Sequence, residues 1–458
     1  MPIPAPHRHR QRHQQRQWRD RHQRRAPQPP DADGGVPGQQ SGRTRAIRTG
    51  LGLPAWAPGV PRIPADAPRR KPSYRAVAGR LGARLGRDDR EVLWLYLLTR
   101  VGLWATAYCV RWLFPQSSAA HAPQSLFSAW QQWDWWHYLH IAQDGYFPQG
   151  AGPWLPRWDN REAFLPGFPL VLRAVHTVVP HWTAAGLLIS FVAGAIAVVA
   201  LARITRLALG NTTAGRRAAL FFLLSPCAVF LAAGYTEALF LALALPAWLA
   251  AQRHNWPLAA LLTCLATTVR VSGLFLAAAL AVHWLTTVRP RPHWHALPWL
   301  ALPALPPLLH SWYLQRNTGD WMAWKHAQER GWHREFHTPW DALQHTWTDA
   351  FGHTQTTGYA IEFQAELLAM LVGLVLTGLL LRRRRWAEAV YTGLSLWALG
   401  TSYWYMSIPR ATLLWWPLWV LVAAWSLRNP RVTTAYACLA APLMTVLTVT
   451  FMTGRWAG

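Results

Sequence analysis

The sequence predicts an all-α protein that crosses a membrane many times and begins with a basic tail. The chain has 458 residues, of which 52% are hydrophobic and only 14% are charged. About a quarter of the residues of a soluble domain are charged. Apolar stretches of membrane-spanning length recur from Val92 to the C-terminal region. Together these observations exclude an ordinary soluble globular enzyme.

Residues 1–90 differ in composition from the rest of the chain. They hold 20 of the 45 Lys and Arg residues, and they alternate His, Arg and Gln with Pro, Gly and Ala. Such a segment cannot bury a hydrophobic core. It is also not a signal peptide, because no apolar segment follows the first basic residues. We therefore predict a disordered, basic cytoplasmic tail at 1–90 and a multi-pass membrane domain at 91–458.

Eleven apolar segments are suited to cross a bilayer, which takes about 20 apolar residues and somewhat fewer where the protein thins the membrane. The stretch 165–181 is short, begins with two prolines and carries Arg173 and His176, so we interpret it as an interfacial helix. The predicted spans are 92–114, 183–206, 217–233, 236–252, 257–271, 272–289, 295–315, 362–381, 386–404, 411–427 and 432–452.

The distribution of basic loops supports a count of eleven, because Lys and Arg accumulate on the cytoplasmic side. With the tail inside, the long polar loops 115–164 and 316–361 face outward. A twelfth span at 165–181 would place every later basic loop outside. The basic loops that fall inside contain Arg203, Arg206, Arg216, Arg217, Arg253, Arg289, Arg291, Arg382–Arg385, Arg428 and Arg431.

The first outer loop contains the most informative acidic residue. Asp134 lies between Trp133 and Trp135, directly after a predicted span. Trp and Tyr often anchor a protein at the headgroup level, but anchoring does not explain a carboxylate among them. A carboxylate near the low-dielectric membrane is suited to act as a base. Asp134 is the first candidate, with Glu162 and Asp144 as second choices.

Five motifs resemble one family in the same order. The segment WDWWHYLHIAQDGY (133–146) resembles the first luminal loop of the GPI mannosyltransferase II (PIG-V) family and its bacterial members. These proteins are C-type (GT-C) membrane glycosyltransferases. The other four segments are AFLPGFPLVLR (163–173), LSPCAVFLAAGYTEALF (224–240), AWKHAQERGWHREFHTPW (323–340) and SIPR (407–410).

The resemblance implies a GT-C-like bundle, a reaction and a catalytic residue for a bacterial family member. It implies transfer of mannose from polyprenyl-phosphate-mannose, with inversion, at the outer face of the cell membrane. By position, Asp134 takes the role of the general base. The acceptor is a glycolipid, a lipoglycan or a protein. The sequence contains no cluster with metal-ligand spacing, so we predict no cofactor, although the resemblance leaves a divalent metal open.

The substrate-binding candidates fall at outer helix ends or in outer loops. Arg270 and Arg410 are the leading ligands for the donor phosphate, because an Arg fork binds phosphate oxygens in pairs. The alternative is that each side chain extends from a helix end to the interface. The other candidates are Tyr235, Glu237, Lys325, Gln328, Trp133 and Glu162.

Several of these candidates have a structural alternative. Glu237 either orients substrate or forms an ion pair with an Arg. Lys325 either binds substrate or balances Glu329 one turn later. Gln328 shares its loop with His326, Trp332 and Arg334, which either bind a sugar or are solvated.

Two other function classes compete with the enzyme. A secondary transporter or flippase usually carries ionisable residues near the middle of the bilayer and internal repeats, and neither is evident. A non-catalytic scaffold is a third reading, because Phe168 and Ala411 stand where the family usually has Tyr. The net charge of +25 lies mostly in the tail and inner loops, which favours membrane orientation over nucleic acid.

Overall fold

The computed structural model describes residues 86–114, 126–287 and 294–458. Most of the predicted tail, part of the first long loop and the loop with Arg289 and Arg291 lie outside these ranges. All described residues belong to one compact unit.

The secondary structure of the described residues is helical, which confirms the predicted all-α class. Short 3₁₀ turns connect several of the α-helices. In chain order the α-helices are α1 (Arg87–Leu113), α2 (Asp134–Asp144), α3 (Gly167–His176), α4 (Trp182–Leu209), α5 (Thr212–Leu223), α6 (Thr236–Gln252), α7 (Trp256–Val269), α8 (Ser272–Thr287), α9 (Leu297–Ala301), α10 (Leu305–Thr318), α11 (Ala323–Trp332), α12 (Pro339–Phe351), α13 (Thr357–Arg382), α14 (Trp386–Gly400), α15 (Ile408–Ala411), α16 (Trp416–Arg428) and α17 (Arg431–Met452).

Several helices have the length and composition of membrane spans. Within the described ranges, α1, α4, α13 and α17 are long and apolar enough to cross a bilayer. The pair Ile408–Leu414 and Trp416–Arg428, bent by 76°, gives a fifth if it counts as one span. The helices α6, α7 and α8 are apolar but shorter. These features agree with a membrane protein, while the count of eleven spans stays a prediction.

Prolines interrupt two of the predicted spans. The segment 217–233 is not one helix: α5 ends at Leu223, and a turn and a 3₁₀ turn (Ala228–Leu231) follow around Pro226. The segment 295–315 divides into α9, a 3₁₀ turn and α10, with Pro298, Pro303 and Pro306 in it. Proline lacks the N–H of a helical hydrogen bond and disfavours helix in the preceding residue. A hydropathy pattern does not register these breaks.

Ion pairs connect the first helix to its neighbours at the end opposite the Asp134 loop. Arg203 Nη2 donates to Asp89 Oδ2 at 2.7 Å, and Arg206 contacts the other oxygen of Asp89. Arg216 of α5 similarly contacts Glu91. In the bundle, α4 packs against α1 and α6, and α6 packs against α7. This packing brings the start of α6 and the end of α7 to the same end of the bundle as α2.

A tryptophan between two glycines positions α2. The Trp135 side chain is completely buried. A Cβ atom added to Gly186 of α4 would lie 2.5 Å from Trp135 Cζ3, and one added to Gly234 would lie 2.6 Å from the same atom. The indole therefore fits against α4 and the turn before α6 only because both residues lack side chains. Asp134, the neighbour of Trp135, takes its position from this contact.

We expect Gly186→Ala to lower the stability by about 1–3 kcal/mol, the usual cost of overpacking a core, and to reduce activity by displacing α2. Thermal melting in detergent and a transfer assay measure the two effects. The Gly186→Ala/Trp135→Phe double variant should recover part of both losses. Gly102→Ala in α1 is the matched control, because a Cβ atom there meets nothing within 4 Å. Equal melting temperatures for Gly186→Ala and the control would contradict the proposed role of this contact.

Candidate active site

Four charged residues from four separate segments form one hydrogen-bonded network. Asp134 begins α2, Glu237 lies in the first turn of α6, Arg270 follows α7, and Arg410 lies in α15. Arg410 Nη1 donates to Asp134 Oδ2 at 2.8 Å, and its Nε donates to Glu237 Oε1. Arg270 Nη1 donates to the same Glu237 oxygen at 2.8 Å. The structure thus brings together four of the residues singled out in the sequence.

The centre of this network is buried among aromatic rings. Arg410 is 4% exposed and Glu237 is fully buried. The guanidinium carbon of Arg410 lies 4.6 Å from the ring centre of Phe230 and 4.8 Å from that of Tyr235, within the range of a cation–π interaction. Tyr235 Oη donates to the carbonyl oxygen of Gln132 at 2.6 Å, which ties this ring to the turn before Asp134. These contacts hold Arg410 in one position.

The local backbone directs Asp134 into the network. Trp133 has a φ of 47°, a left-handed conformation that is costly for a bulky residue and occurs often at functional sites. Its indole Nε1 donates to the carbonyl oxygen of Arg455 at 3.1 Å, and its ring packs edge-on against Trp456. Asp134 then occupies the N-terminus of α2, where the helix dipole favours a carboxylate.

The two carboxylate oxygens of Asp134 have different surroundings. Oδ2 accepts from Arg410, whereas no hydrogen bond joins Oδ1 to any residue that the structure describes. The side chain is 14% exposed. One oxygen therefore fixes the orientation of the carboxylate while the other is available to a hydroxyl group. This arrangement is suited to general-base chemistry, which requires the base within hydrogen-bond reach of the proton that it removes.

Glu366, a residue that sequence reasoning missed, supports the segment that carries Arg410. Its Oε1 accepts from the backbone N–H of Ser407 at 2.7 Å, and its Oε2 accepts from that of Ile408 at 2.8 Å. Ser407 has a φ of 67°, so the turn before α15 is in a left-handed conformation. The available signal was an acidic residue inside the predicted span 362–381, where carboxylates are rare unless they have a role.

Glu162 and Gln328 lie in a junction between the two long loops. Glu162 Oε2 accepts from Trp158 Nε1 at 2.6 Å, and its Oε1 accepts from Arg330 Nη2 at 2.6 Å. Burial raises the pKa of Glu162, while the Trp158 hydrogen bond and the Arg330 charge oppose this shift. Gln328 Nε2 donates to the carbonyl oxygen of Ala163 at 3.0 Å. Both side chains therefore join α11 to the first loop.

Lys325 and Asp144 are also placed apart from the four-residue network. Lys325 Nζ lies 3.2 Å from Glu329 Oε1, one helical turn away, and its side chain is 42% exposed. This contact matches the structural alternative considered for Lys325. The Asp144 side chain is 53% exposed and lies 4.0 Å from Arg161 Nη1.

In the described ranges, no group of three or more His, Cys, Asp or Glu is arranged to hold a metal ion.

We expect Arg330→Gln to increase the proteolysis or hydrogen exchange of α11 about 3-fold to 10-fold, because the loop junction loses its ion pair and opens locally more often. The Arg330→Gln/Glu162→Gln double variant should restore most of the protection, since it removes the buried unpaired charge. Lys325→Gln is the control in the same helix, because exposed pairs contribute little. Equal protection in wild type and Arg330→Gln would show that this pair does not hold the loops together.

Comparison with known proteins finds similarity over the first part of the described chain. Residues 105–288 match the family described as Mannosyltransferase (PIG-V). The chain is 33% identical over 180 residues to GPI alpha-1,6-mannosyltransferase 2 of Mus musculus, which covers 37% of the chain and 34% of that relative. The protein of the same name from Cricetulus griseus is 34% identical over 161 residues, with 33% and 31% covered. The one from Homo sapiens is 32% identical over 180 residues, with 37% and 34% covered.

All three relatives bear the name of a mannosyltransferase. Residues 105–288 match the model of the PIG-V mannosyltransferase family, which confirms the resemblance drawn from the motifs over that part of the chain. The match spans about a third of the length of these curated relatives. It contains Asp134, Glu237 and Arg270, whereas Arg410 lies beyond it.

Proposed function

We propose that the protein transfers mannose from polyprenyl-phosphate-mannose to an acceptor hydroxyl at the outer face of the cell membrane, with inversion at the sugar carbon. The observation that carries this proposal is that the two oxygens of Asp134 differ in their contacts. Buried Arg410 donates to Oδ2, whereas Oδ1 has no hydrogen-bond partner among the described residues. The family match of residues 105–288 supports the transferred sugar. Their relatives bear the name GPI alpha-1,6-mannosyltransferase 2, which makes a glycolipid the first acceptor to test.

In the proposed reaction, Asp134 Oδ1 accepts the proton of the acceptor hydroxyl while the hydroxyl oxygen attacks the anomeric carbon of mannose. The bond between that carbon and the phosphate oxygen breaks, and polyprenyl phosphate leaves with the bonding electron pair. Arg410 holds the Asp134 carboxylate in one orientation throughout the step. Glu237 and Arg270 in turn fix Arg410 by the hydrogen bonds that they share.

The proposed location follows from the topology predicted from the sequence. A cytoplasmic tail and eleven spans put the loop of Asp134 and the helix ends near Glu237, Arg270 and Arg410 on the outer side. A lipid-linked donor is available there without a nucleotide sugar. An accessibility test with a membrane-impermeant thiol reagent on single cysteines at Asn317 and Arg253 would check this topology, with labelling expected only at Asn317.

Transfer of labelled mannose from polyprenyl-phosphate-mannose in membranes that contain the protein tests the proposed function. We expect label in the extractable lipid fraction; label in a lipoglycan or protein fraction would support transfer and change the acceptor. The Asp144→Asn variant should retain activity, because that exposed carboxylate lies outside the network. If folded protein transfers no sugar from any polyprenyl-phosphate donor, with glycolipid, lipoglycan and protein acceptors supplied, the proposal is wrong.

A further inference from the structure

The two arginines first considered for the donor phosphate already have carboxylate partners. Arg410 contacts Asp134 and Glu237, and Arg270 contacts Glu237. Two guanidinium groups therefore face two carboxylates, and this part of the site has no excess positive charge. The contacts use Arg270 Nη1 and Arg410 Nε and Nη1, so a carboxylate already balances the charge of each guanidinium. An arginine without a carboxylate partner is better suited to bind an added phosphate.

Arg334 supplies such a cation. Its Nε is buried and has no hydrogen-bond partner, and no carboxylate within 4.0 Å pairs with its guanidinium in the described part of the chain. Burial lowers the pKa of Arg334; the charge of Asp134 opposes that shift, and the charges of Arg270 and Arg410 add to it. Arg334 is thus within electrostatic range of the network. An Arg stays protonated even where burial disfavours the charge.

The turn that carries Arg334 is fixed between the two sides of the site. The Trp332 ring lies 5.5 Å from that of His137, one turn after Asp134 in α2. The His333 ring lies 5.8 Å from that of Trp404, and the carbonyl oxygen of His333 accepts from the N–H of Tyr403 at 3.4 Å. Residues 332–334 therefore contact both α2 and the segment that leads to Arg410.

Glu366 is another acidic residue close enough to affect Arg334. Its charge also acts on the Arg334 guanidinium. Both of its oxygens, however, accept backbone N–H groups from Ser407 and Ile408. Both oxygens of Glu366 are thus used to hold the turn before α15. The guanidinium of Arg334 therefore remains available to bind a ligand.

We propose that Arg334 binds the phosphate of the lipid-linked donor, whereas Arg410 and Arg270 hold the carboxylates of the site. This inference rests on the proposed function. The donor phosphate is a diester with one negative charge, and the departing polyprenyl phosphate is a monoester with more. The contact with Arg334 therefore strengthens as the bond to the sugar breaks, so it favours the transition state as well as donor binding.

Binding of polyprenyl phosphate and of polyprenol to purified protein in detergent tests this inference without requiring activity. Wild type should bind the phosphate about 10-fold to 100-fold more tightly than the alcohol, the range expected for a charge-assisted hydrogen bond. Arg334→Gln should bind the two lipids nearly equally, and Arg334→Lys should keep part of the preference. Arg316→Gln, an exposed arginine on α10, is the control and should behave as wild type.

The outcomes separate this inference from the proposed function. A phosphate preference that survives in folded Arg334→Gln overturns the role of Arg334, even if wild type transfers mannose. Wild type that transfers mannose but binds both lipids equally overturns it as well. If Arg334→Gln does not fold, Arg334→Lys decides, because a preference equal to that of wild type would show that the Arg fork is not used. Absence of transfer by wild type contradicts the proposed function instead.

Discussion

Replacement of Asp134 by Asn should lower mannosyl transfer by about 10²-fold to 10⁴-fold, the usual contribution of a general base. The amide has nearly the same size as the carboxylate, and its oxygen can still accept from Arg410. Arg410 also keeps its contact with Glu237. The variant should therefore insert into the membrane and melt close to wild type while it loses the group that accepts the proton.

Initial rates with labelled donor, measured in parallel with melting temperatures, provide the comparison. Asp134→Glu should retain a small part of the activity, because its carboxylate is displaced by one methylene group. Asp144→Asn is the matched control, a carboxylate at the opposite end of the same helix. Transfer by Asp134→Asn at a near-normal rate would move the base to another carboxylate, and Glu162 would be the next to test.

Replacement of Arg410 by Ala should abolish transfer and also destabilise the fold by about 3–5 kcal/mol, the cost of leaving buried charges without their partner. Glu237 is fully buried and Asp134 is largely so. The geometry thus predicts a change in stability that a residue used only to bind donor phosphate would not produce. Thermal melting in detergent distinguishes the two roles.

A neutralising second substitution sharpens this test. Arg410→Gln/Glu237→Gln removes one charge of each sign from the network and should melt above Arg410→Ala, although it should remain inactive. Arg428→Gln, in the helix that follows, is a control for the loss of an arginine far from Asp134. An Arg410→Ala protein that melts like wild type would show that the ion pairs contribute nothing to the fold.

The sequence was sufficient to identify most members of the candidate site, but not their contacts. Asp134, Tyr235, Glu237, Arg270 and Arg410 were each recognisable as polar residues at the ends of apolar segments. The pairing of Arg410 with Asp134 joins positions 276 residues apart, and no local pattern encodes such a contact. Both arginines were assigned to the donor phosphate because the sequence does not show which carboxylates pair with them.

Contacts between distant segments also determine the positions of residues whose surroundings the sequence could not predict. Glu162 and Gln328 appear as loop residues in the sequence, and only the fold shows that they join two loops. Glu366 was concealed within an apolar pattern that correctly predicted the helix α13. The prolines at positions 226 and 303 would have predicted the interruptions of these two spans. The spans were chosen by hydropathy, which does not detect such interruptions.

The four-residue network comes from four distant segments, so its members are synthesised at different times. Ribosomal synthesis delivers Asp134, Glu237 and Arg270 before residue 410 exists. Until then Arg270 can pair with Glu237, whereas Asp134 lacks its guanidinium partner Arg410. Because burial of an unpaired carboxylate is unfavourable, we expect the N-terminus of α2, which begins with Asp134, to pack fully only after Arg410 has been synthesised. We therefore expect the candidate site around Asp134 to form late in translation, after residue 410 has been added.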